Sequence, residues 1–185
     1  RFIGALTAPT GEGPLYEVDM RLRPSGNQGP VAVTLESFVQ YHRERSWTWE
    51  RMALTRARVV SGSDALRHRV EAAIRERMTW ASAPATDLAD PRARRDKLAA
   101  QFPGRDKWDI KFAPGGLVDI EFIAQTLQLC HASLDSGVLD QNTVAALERL
   151  SVAGALSPHI AGTLVPTTAS HEKVIWRLAF ASAPC

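Results

Sequence analysis

The hydrophobic pattern of this chain changes its period near residue 34, and that change limits the folds open to it. Before that point, residues 15–26 read LYEVDMRLRPSG, in which apolar and charged side chains alternate with a period of two. After it, apolar residues recur three and four positions apart, as they do along one side of a helix. The pattern therefore predicts a mainly α chain, a helical bundle that follows a short two-stranded β segment.

The alternating segment is predicted to be a strand with one buried face and one charged face. Its apolar face comprises Tyr16, Val18, Met20 and Leu22. Its opposite face carries two carboxylates and two guanidinium groups: Glu17, Asp19, Arg21 and Arg23. Carboxylate oxygens suit Mg²⁺, and the fork of an arginine matches two phosphate oxygens at once. The face therefore predicts a metal carboxylate at Asp19 beside phosphate-binding arginines; the alternative is a solvated strand face that only alternates its charges.

The rest of the chain is predicted to be almost entirely helical. Residues 31–33 supply the second strand, and Thr34 is the expected N-cap of the first helix. Further helices are expected at residues 64–80, 91–102, 117–130, 140–155 and 158–183, with a loop at 81–90 and an interruption at Pro166. The apolar row of the third of these is the strongest, and it would extend to Leu134.

A double glycine opens that strongest helix and predicts an anion site. Gly115 and Gly116 would leave backbone N–H groups free and let a ligand approach closely. Lys111 would neutralise a phosphate there, or would simply be exposed. Asp119, in the first helical turn, complements the helix dipole, and that purely structural role is the alternative reading of the segment. Glu121 falls on a different side of the helix, so the two carboxylates do not form a pair.

Two tryptophans lie two positions apart in the segment WTWE at residues 47–50. On a helix Trp47 and Trp49 point in different directions, so one would pack while the other meets a partner surface or the neighbouring sheet domain. The alternative is that both are core aromatics at a junction between helices. Downstream, Arg56 and Arg58 would reach a phosphate or only meet water.

Composition excludes several classes of function. A formal net charge of +2 is too small for a general polyanion binder, and no apolar run is long enough for a membrane helix. Cys130 and Cys185 make neither a disulfide framework nor a metal-binding spacing, and the five histidines show no metal spacing. We therefore expect a cytoplasmic protein with no nucleic-acid or membrane partner. Because the chain begins with Arg1 close to its charged strand, we also expect a fragment of a longer protein whose sheet lies mostly upstream.

Four segments, taken in order, resemble the glutamine synthetase adenylyltransferase family, whose bifunctional enzymes add AMP to glutamine synthetase and remove it. They are YEVDMRLRPSG at 16–26, WTWE at 47–50, LTRARVV at 54–60 and DIKFAPGGLVDIEFIAQ at 109–125. The resemblance covers residues 15–134 well and the tail weakly. It implies two nucleotidyltransferase domains of the polymerase-β type, each followed by a helical domain. Residues 1–33 would then be the C-terminal remnant of such a domain, and residues 34–185 the helical domain.

The resemblance also implies a chemistry. The complete protein would transfer AMP from ATP to a tyrosine of glutamine synthetase, with Mg²⁺ and with the PII signalling protein as a candidate regulator. Asp19 matches the third catalytic carboxylate, and the other two would lie upstream, so the fragment alone is expected to be inactive. The residues expected to contact the nucleotide are Arg21, Arg23, Lys111, Gly115 and Gly116.

Three readings stay open at this point. The first is the C-terminal, adenylylating half of the family, to which the segment variants are more similar. The second is the deadenylylating half. Uridylyltransferases of the PII protein share the element around Gly115 and Asp119, so that element alone does not separate the two families. A regulatory or protein-docking helical module without catalytic duty is the third reading.

Overall fold

A computed structural model of the chain describes residues 2–14, 18–19, 22–80, 84–101 and 109–181. Most of these residues are helical, which confirms the mainly α class. The chain divides into two compact units, Arg1–Ser46 and Trp47–Cys185. The expected boundary between a nucleotidyltransferase remnant at 1–33 and a helical domain at 34–185 stays a prediction.

The first unit combines short elements with one regular helix. Helix α1 (Phe2–Leu6) precedes the strands β1 (Pro9–Thr10) and β2 (Gly13–Pro14), which pair antiparallel with Pro9 opposite Pro14. A 3₁₀ turn follows at Gly26–Gln28, and helix α2 spans Leu35–Glu44. The predicted N-cap is confirmed, because Thr34 Oγ1 accepts a hydrogen bond from the Ser37 amide at 3.2 Å.

The two predicted strands are not found among the described residues. Residues 31–33 form bends and coil, and Val18, Asp19, Leu22 and Arg23 lie outside any strand; the remainder of the alternating segment falls outside the described residues. Leu22 is 61% exposed, so it does not belong to a buried face. A two-stranded ribbon is marginal without a larger sheet. Pro24 and Pro30, which cannot donate to a ladder, flank the turn between the two segments.

The second unit contains six helices among its described residues. These are α3 (Thr48–Leu54), α4 (Asp64–Thr79), α5 (Pro84–Gln101), α6 (Leu117–His131), α7 (Thr143–Val152) and α8 (Pro158–Ala181). A second 3₁₀ turn, Ser136–Val138, lies between α6 and α7. Across the described part of the chain, no helix combines the length and the apolar content needed to cross a membrane.

Two helix boundaries differ from the prediction. The expected loop at 81–90 is helical from Pro84 onward, so α5 begins earlier than residue 91. Proline suits the first turn of a helix, and the alanines that follow have the highest helix propensity. Helix α8 runs through Pro166 without the expected interruption. Nearby hydroxyls bond to carbonyls of the preceding turn, including Thr167 Oγ1 to the Thr163 carbonyl at 2.7 Å.

The core of the second unit lies where α6, α7 and α8 meet. Leu147 and Leu150 of α7 are fully buried, and Ile120 and Ala124 of α6 pack with them. The other buried members of this cluster are Ala132, Val138, Leu156 and Ala161. The apolar row of α6 is shorter than predicted: the helix ends at His131, and Leu134 is 86% exposed.

Buried and charged side chains hold the connection between α6 and α7. Gln128, only 2% exposed, accepts a hydrogen bond from the Asp140 amide through Oε1 at 2.8 Å. Arg149 forms an ion pair with the Asp140 carboxylate at 2.8 Å and donates to the Leu139 carbonyl at 2.9 Å. These bonds fix the position of residues 139–141.

Truncation of Leu147 to alanine should destabilise the second unit by about 2–5 kcal/mol, because it leaves a cavity in the α6–α8 core. The matched control is Val152→Ala on the same helix, where the side chain is 91% exposed and the change should be within about 0.5 kcal/mol. Urea unfolding followed by circular dichroism measures both. Equal losses in the two variants would contradict this description of the core.

Candidate functional site

Asp19, the predicted metal ligand, is exposed and lies in a segment without regular secondary structure. Its neighbours Glu17 and Arg21 fall outside the described residues, so their predicted roles are neither supported nor opposed. An exposed carboxylate has the oxygen chemistry that Mg²⁺ binds, and such sites commonly use one or two carboxylates together with substrate phosphates. Asp19 therefore fits as a single ligand of such an ion.

Arg23 closes the loop that follows Asp19. Its Nε donates to the Gly29 carbonyl at 3.2 Å, and its own carbonyl accepts from the Gly26 amide at 2.8 Å. Ser25 occupies the left-handed region with φ 63°, which turns the chain sharply at this point. A Cβ at Gly29 would overlap the Pro24 carbonyl oxygen, so only glycine fits there. The described geometry gives Arg23 a structural contact, and its phosphate contact stays a prediction.

The residues before α6 form a closed turn whose amides are already bonded. The Gly116 amide donates to the Ala113 carbonyl at 2.8 Å, and the Leu117 amide to the Ile110 carbonyl at 2.9 Å. The Val118 amide donates to the Lys111 carbonyl at 3.2 Å. Helix N-termini bind anions through amides that lack an intrahelical partner. Here the amides of residues 116–118 already donate to carbonyls of the preceding turn.

Each glycine of the pair has its own steric reason. Gly115 has φ +78°, a conformation that L side chains rarely adopt, with open space around it. Gly116 has an ordinary φ, but a Cβ there would lie 2.6 Å from the Ile110 carbonyl oxygen and 2.8 Å from that of Ala113. The first glycine therefore serves the turn, and the second allows the turn to close against the helix.

Asp119 joins this turn to helix α5. Its Oδ2 accepts a hydrogen bond from the Gly115 amide at 2.7 Å, and its Oδ1 accepts from Arg95 Nε in an ion pair. Partial burial raises the pKa of Asp119, but the Arg95 hydrogen bond, the Gly115 amide and the charge of Arg95 together bring that pKa below its ordinary value. The carboxylate is therefore held in its charged form.

The predicted site residues fall into two groups. Asp19 and Arg23 belong to the first unit, whereas Lys111, Gly115 and Gly116 share the turn before α6 in the second. Lys111 is exposed, and its Nζ lies 5.1 Å from the centre of the Phe112 ring. An anion at this turn would compete with Asp119 for the Gly115 amide. The prediction that the glycines contact a nucleotide stays untested, and the geometry assigns them a structural role.

The contact between Arg95 and Asp119 was missed by sequence reasoning because 24 residues separate the partners. Glu121 likewise pairs with Arg56 at 2.5 Å across 65 residues, with the Arg56 side chain 50% exposed and the Glu121 side chain 34% exposed. No local pattern signals either pair. Only the packing of α3 and α5 against α6 brings them together.

The two tryptophans of WTWE differ in environment, as the first reading expected. Trp47 is 65% exposed, whereas Trp49 is half-buried with the Arg94 guanidinium 4.8 Å above its ring. Glu50, next in sequence and 5% exposed, accepts a hydrogen bond from the Trp47 amide at 2.8 Å. The reading in which both tryptophans are core aromatics is therefore wrong for Trp47.

A complete metal site is not formed by the part of the chain that the structure describes. Within those residues no group of three or more His, Cys, Asp or Glu side chains could hold an ion.

Substitutions at the glycine pair should separate the two steric roles. Gly116→Ala should cost about 2–3 kcal/mol because it forces Cβ into two carbonyl oxygens. Gly115→Ala should cost about 1 kcal/mol for its positive φ, and Gly115→Asn less, since asparagine tolerates that region. Urea unfolding measures the losses. Gly162→Ala in α8, where a Cβ meets open space, is the control and should not destabilise; a tolerated Gly116→Ala would contradict the closed turn.

Removal of the Asp119 charge should destabilise the fold in a pH-dependent way. Asp119→Asn should cost about 1–2 kcal/mol at pH 7, the scale of a hydrogen bond to a charged group. Because the pKa is lower in the folded chain, the native carboxylate stabilises the fold above the unfolded value of about 3.9. That stabilisation is lost as the pH falls through the folded value, so the two proteins should converge below about pH 4. Urea unfolding between pH 7 and pH 3 tests this.

Glu121→Gln is the matched control for Asp119→Asn. Its ion pair with Arg56 is exposed to solvent, so the loss at pH 7 should be at most about 0.5 kcal/mol. If the two variants lose the same stability, Asp119 does not hold the turn as described.

Two family models match the chain. Residues 1–73 match the model described as glutamate-ammonia ligase adenylyltransferase. Residues 88–182, just over half of the chain, match the model described as GlnD PII-uridylyltransferase. The first match contains Asp19 and Arg23, and the second contains Arg95, Asp119 and the turn between them.

Curated relatives extend these matches over most of the chain. A protein of Bradyrhizobium diazoefficiens is 47% identical over 156 residues, and one of Caulobacter vibrioides is 48% identical over 179 residues. These alignments cover 84% and 96% of this chain but only 16% and 17% of the relatives' length. Both relatives are named bifunctional glutamine synthetase adenylyltransferase/adenylyl-removing enzyme. The match of residues 88–182 shows that the chain belongs to the family described as GlnD PII-uridylyltransferase. The match of residues 1–73 and these relatives show that the chain also belongs to the glutamate-ammonia ligase adenylyltransferase family.

Proposed function

We propose that this chain is part of an enzyme that transfers AMP from ATP to a tyrosine of glutamine synthetase and so regulates nitrogen assimilation. The observation that carries the proposal is the identity of 44–48% to proteins named for adenylyl transfer to, and removal from, glutamine synthetase. The match of residues 1–73 to the adenylyltransferase model supports it and includes the exposed carboxylate of Asp19.

Adenylyl transfer is favoured over uridylyl transfer by the extent of each match. The uridylyltransferase model matches only residues 88–182, whereas relatives named for adenylyl transfer align over 84–96% of the chain. The segment containing Asp19 falls only under the adenylyltransferase model. The helical segment alone would not decide between adenylyl and uridylyl transfer.

In this proposal Asp19 is a catalytic carboxylate that holds Mg²⁺ beside the nucleotide. A bound Mg²⁺ supplies neutralisation of phosphate charge in such a transfer. The accepting tyrosine has an ordinary pKa of about 10, so its hydroxyl needs help to lose its proton at neutral pH. An exposed carboxylate suits this position because it must be reached both by a triphosphate and by a side chain of another protein.

Arg21 and Arg23 are proposed to contact the phosphates, since a guanidinium binds two phosphate oxygens at once. Arg23 already donates through Nε to the Gly29 carbonyl, which would orient the rest of its guanidinium from the same loop. Lys111 has an exposed ammonium and is proposed as a further phosphate contact. For Gly115 and Gly116 the bonded turn supports positioning of α6 rather than nucleotide contact.

The helical unit is proposed to position the protein substrate, with glutamine synthetase as the target and the PII signalling protein as a regulator. We assign the chain to the adenylylating half because its motif variants resemble that half. The 185 residues alone are expected to be inactive, since Asp19 matches only one of the three catalytic carboxylates that the family resemblance implies.

Asp19→Asn, made in the longer enzyme that carries this chain, should reduce AMP transfer from labelled ATP to unmodified glutamine synthetase by at least about a hundredfold. Removal of Mg²⁺ by a chelator should have the same effect. Glu12→Gln, an exposed carboxylate in the same unit, is the control and should leave transfer unchanged.

Two other outcomes would change the assignment. If Asp19→Asn leaves AMP transfer intact but blocks release of AMP from adenylylated glutamine synthetase, the chain belongs to the deadenylylating half. If neither activity changes, Asp19 has no catalytic role and the docking-module reading replaces this one.

A further inference from the structure

The second unit contains a cavity of about 330 Å³ that the proposed transfer reaction does not use. It lies beside helix α4, between the segment that follows α3 and the connection from α6 to α7, and we call it the α4 cavity. Its apolar part is formed by three residues that are at most 9% exposed, Leu54, Ile74 and Met78. Its polar part includes Arg58, Glu71 and Arg75, all exposed, so the cavity opens to solvent.

The walls of the α4 cavity are held by hydrogen bonds between distant segments. Gln141 Nε2 donates to the Ala57 carbonyl at 2.8 Å across 84 residues, which joins the two loops that border the opening. Arg75 Nη1 donates to Ser136 Oγ at 3.1 Å, which joins α4 to the 3₁₀ turn after α6. A cavity with fixed walls does not have to be ordered by its ligand, which lowers the entropic cost of binding.

Of the two guanidiniums that line the α4 cavity, only that of Arg58 has no hydrogen-bond partner among the described residues. Asp140 lines the cavity but is neutralised by its ion pair with Arg149 at 2.8 Å. Arg75 is engaged with Ser136. Arg58 forms no hydrogen bond or ion pair with any residue in the described part of the chain. Glu71 adds one negative charge to the same lining.

We propose that the α4 cavity binds a small organic monocarboxylate with a short apolar body. Arg58 pairs with the carboxylate, and the apolar body covers Leu54, Ile74 and Met78. The volume is at the lower end of the range for small-molecule sites, which are typically apolar with a few placed polar groups. This proposal does not depend on AMP transfer, because it concerns binding to the second unit alone.

The charge balance selects a monoanion. Arg58 and Arg75 bring two positive charges and Glu71 one negative charge, while Asp140 is paired with Arg149. One carboxylate therefore neutralises the lining, whereas a phosphate dianion would leave an excess negative charge. A cation would meet both Arg58 and Arg75. An uncharged molecule of the same shape would gain the apolar contact but lose the charge-assisted bond to Arg58.

Methionine methyl groups provide a direct readout in the 185-residue chain. The chain has three methionines, of which Met78 lines the cavity and Met52 does not. With carbon-13-labelled methyl groups, hexanoate should shift the Met78 signal in a saturable titration and leave the buried Met52 signal in place. Hexanamide should bind about tenfold more weakly than hexanoate because it lacks the negative charge. Hexylamine and inorganic phosphate should not bind.

Three variants complete the test. Arg58→Gln should weaken hexanoate binding about tenfold, whereas Arg56→Gln, two residues away and outside the cavity, should not change it. Ala72→Phe, an exposed helix position in the lining, should block binding without loss of fold. The proposal is overturned if hexanoate leaves Met78 unshifted, if hexylamine binds as tightly, or if Arg58→Gln binds as well as the native chain.

Discussion

Burial of helix α6 on several sides at once is the constraint on which the second unit depends. The helix packs against α3, α5, α7 and α8, with ion pairs from Asp119 and Glu121 in its first half to Arg95 and Arg56. Each fully buried Leu or Ile side chain contributes roughly 1.5–3 kcal/mol relative to exposure, so the buried side chains of α6 add several kcal/mol to the stability of the unit. Since α6 has little freedom to tilt or slide, whatever is attached to its first turn is also held in a defined place.

The turn before α6 follows from that burial. Gly116, Leu117 and Val118 are all buried, so their amides cannot be left to water and need partners within the protein. Carbonyls of residues 110–113 supply them, and the close approach that this requires excludes a Cβ at Gly116. Asp119 then satisfies the Gly115 amide and places a negative charge in the first helical turn. A glycine pair that suggests a ligand is thus explained by the packing of the helix it precedes.

Local sequence patterns correctly predicted the features that depend only on residues close in sequence. The cap at Thr34 and the burial of Ile120 follow from patterns within a few residues, and both are present. The prediction of a buried strand face is wrong at Leu22, because a strand depends on partner strands that no single segment reveals. The partnership of Arg95 with Asp119 depends on how two helices pack, so it could not be read from either segment alone. For residues 16–26 the alternation of side chains predicts a metal carboxylate and phosphate-binding arginines, whereas the transfer of AMP is implied only by the family resemblance.

The placement of arginines explains why net charge says little about partners in this chain. Arg51, Arg67 and Arg149 each donate to a backbone carbonyl of a connecting segment, at Trp80, Val59 and Leu139. A guanidinium is suited to this because its several donors reach carbonyls that a loop leaves without an amide partner. Such arginines stabilise loops whether or not a ligand is bound. Arg58 differs from these three arginines, because it borders a cavity and no such carbonyl engages it among the described residues, so its guanidinium can pair with an anionic ligand.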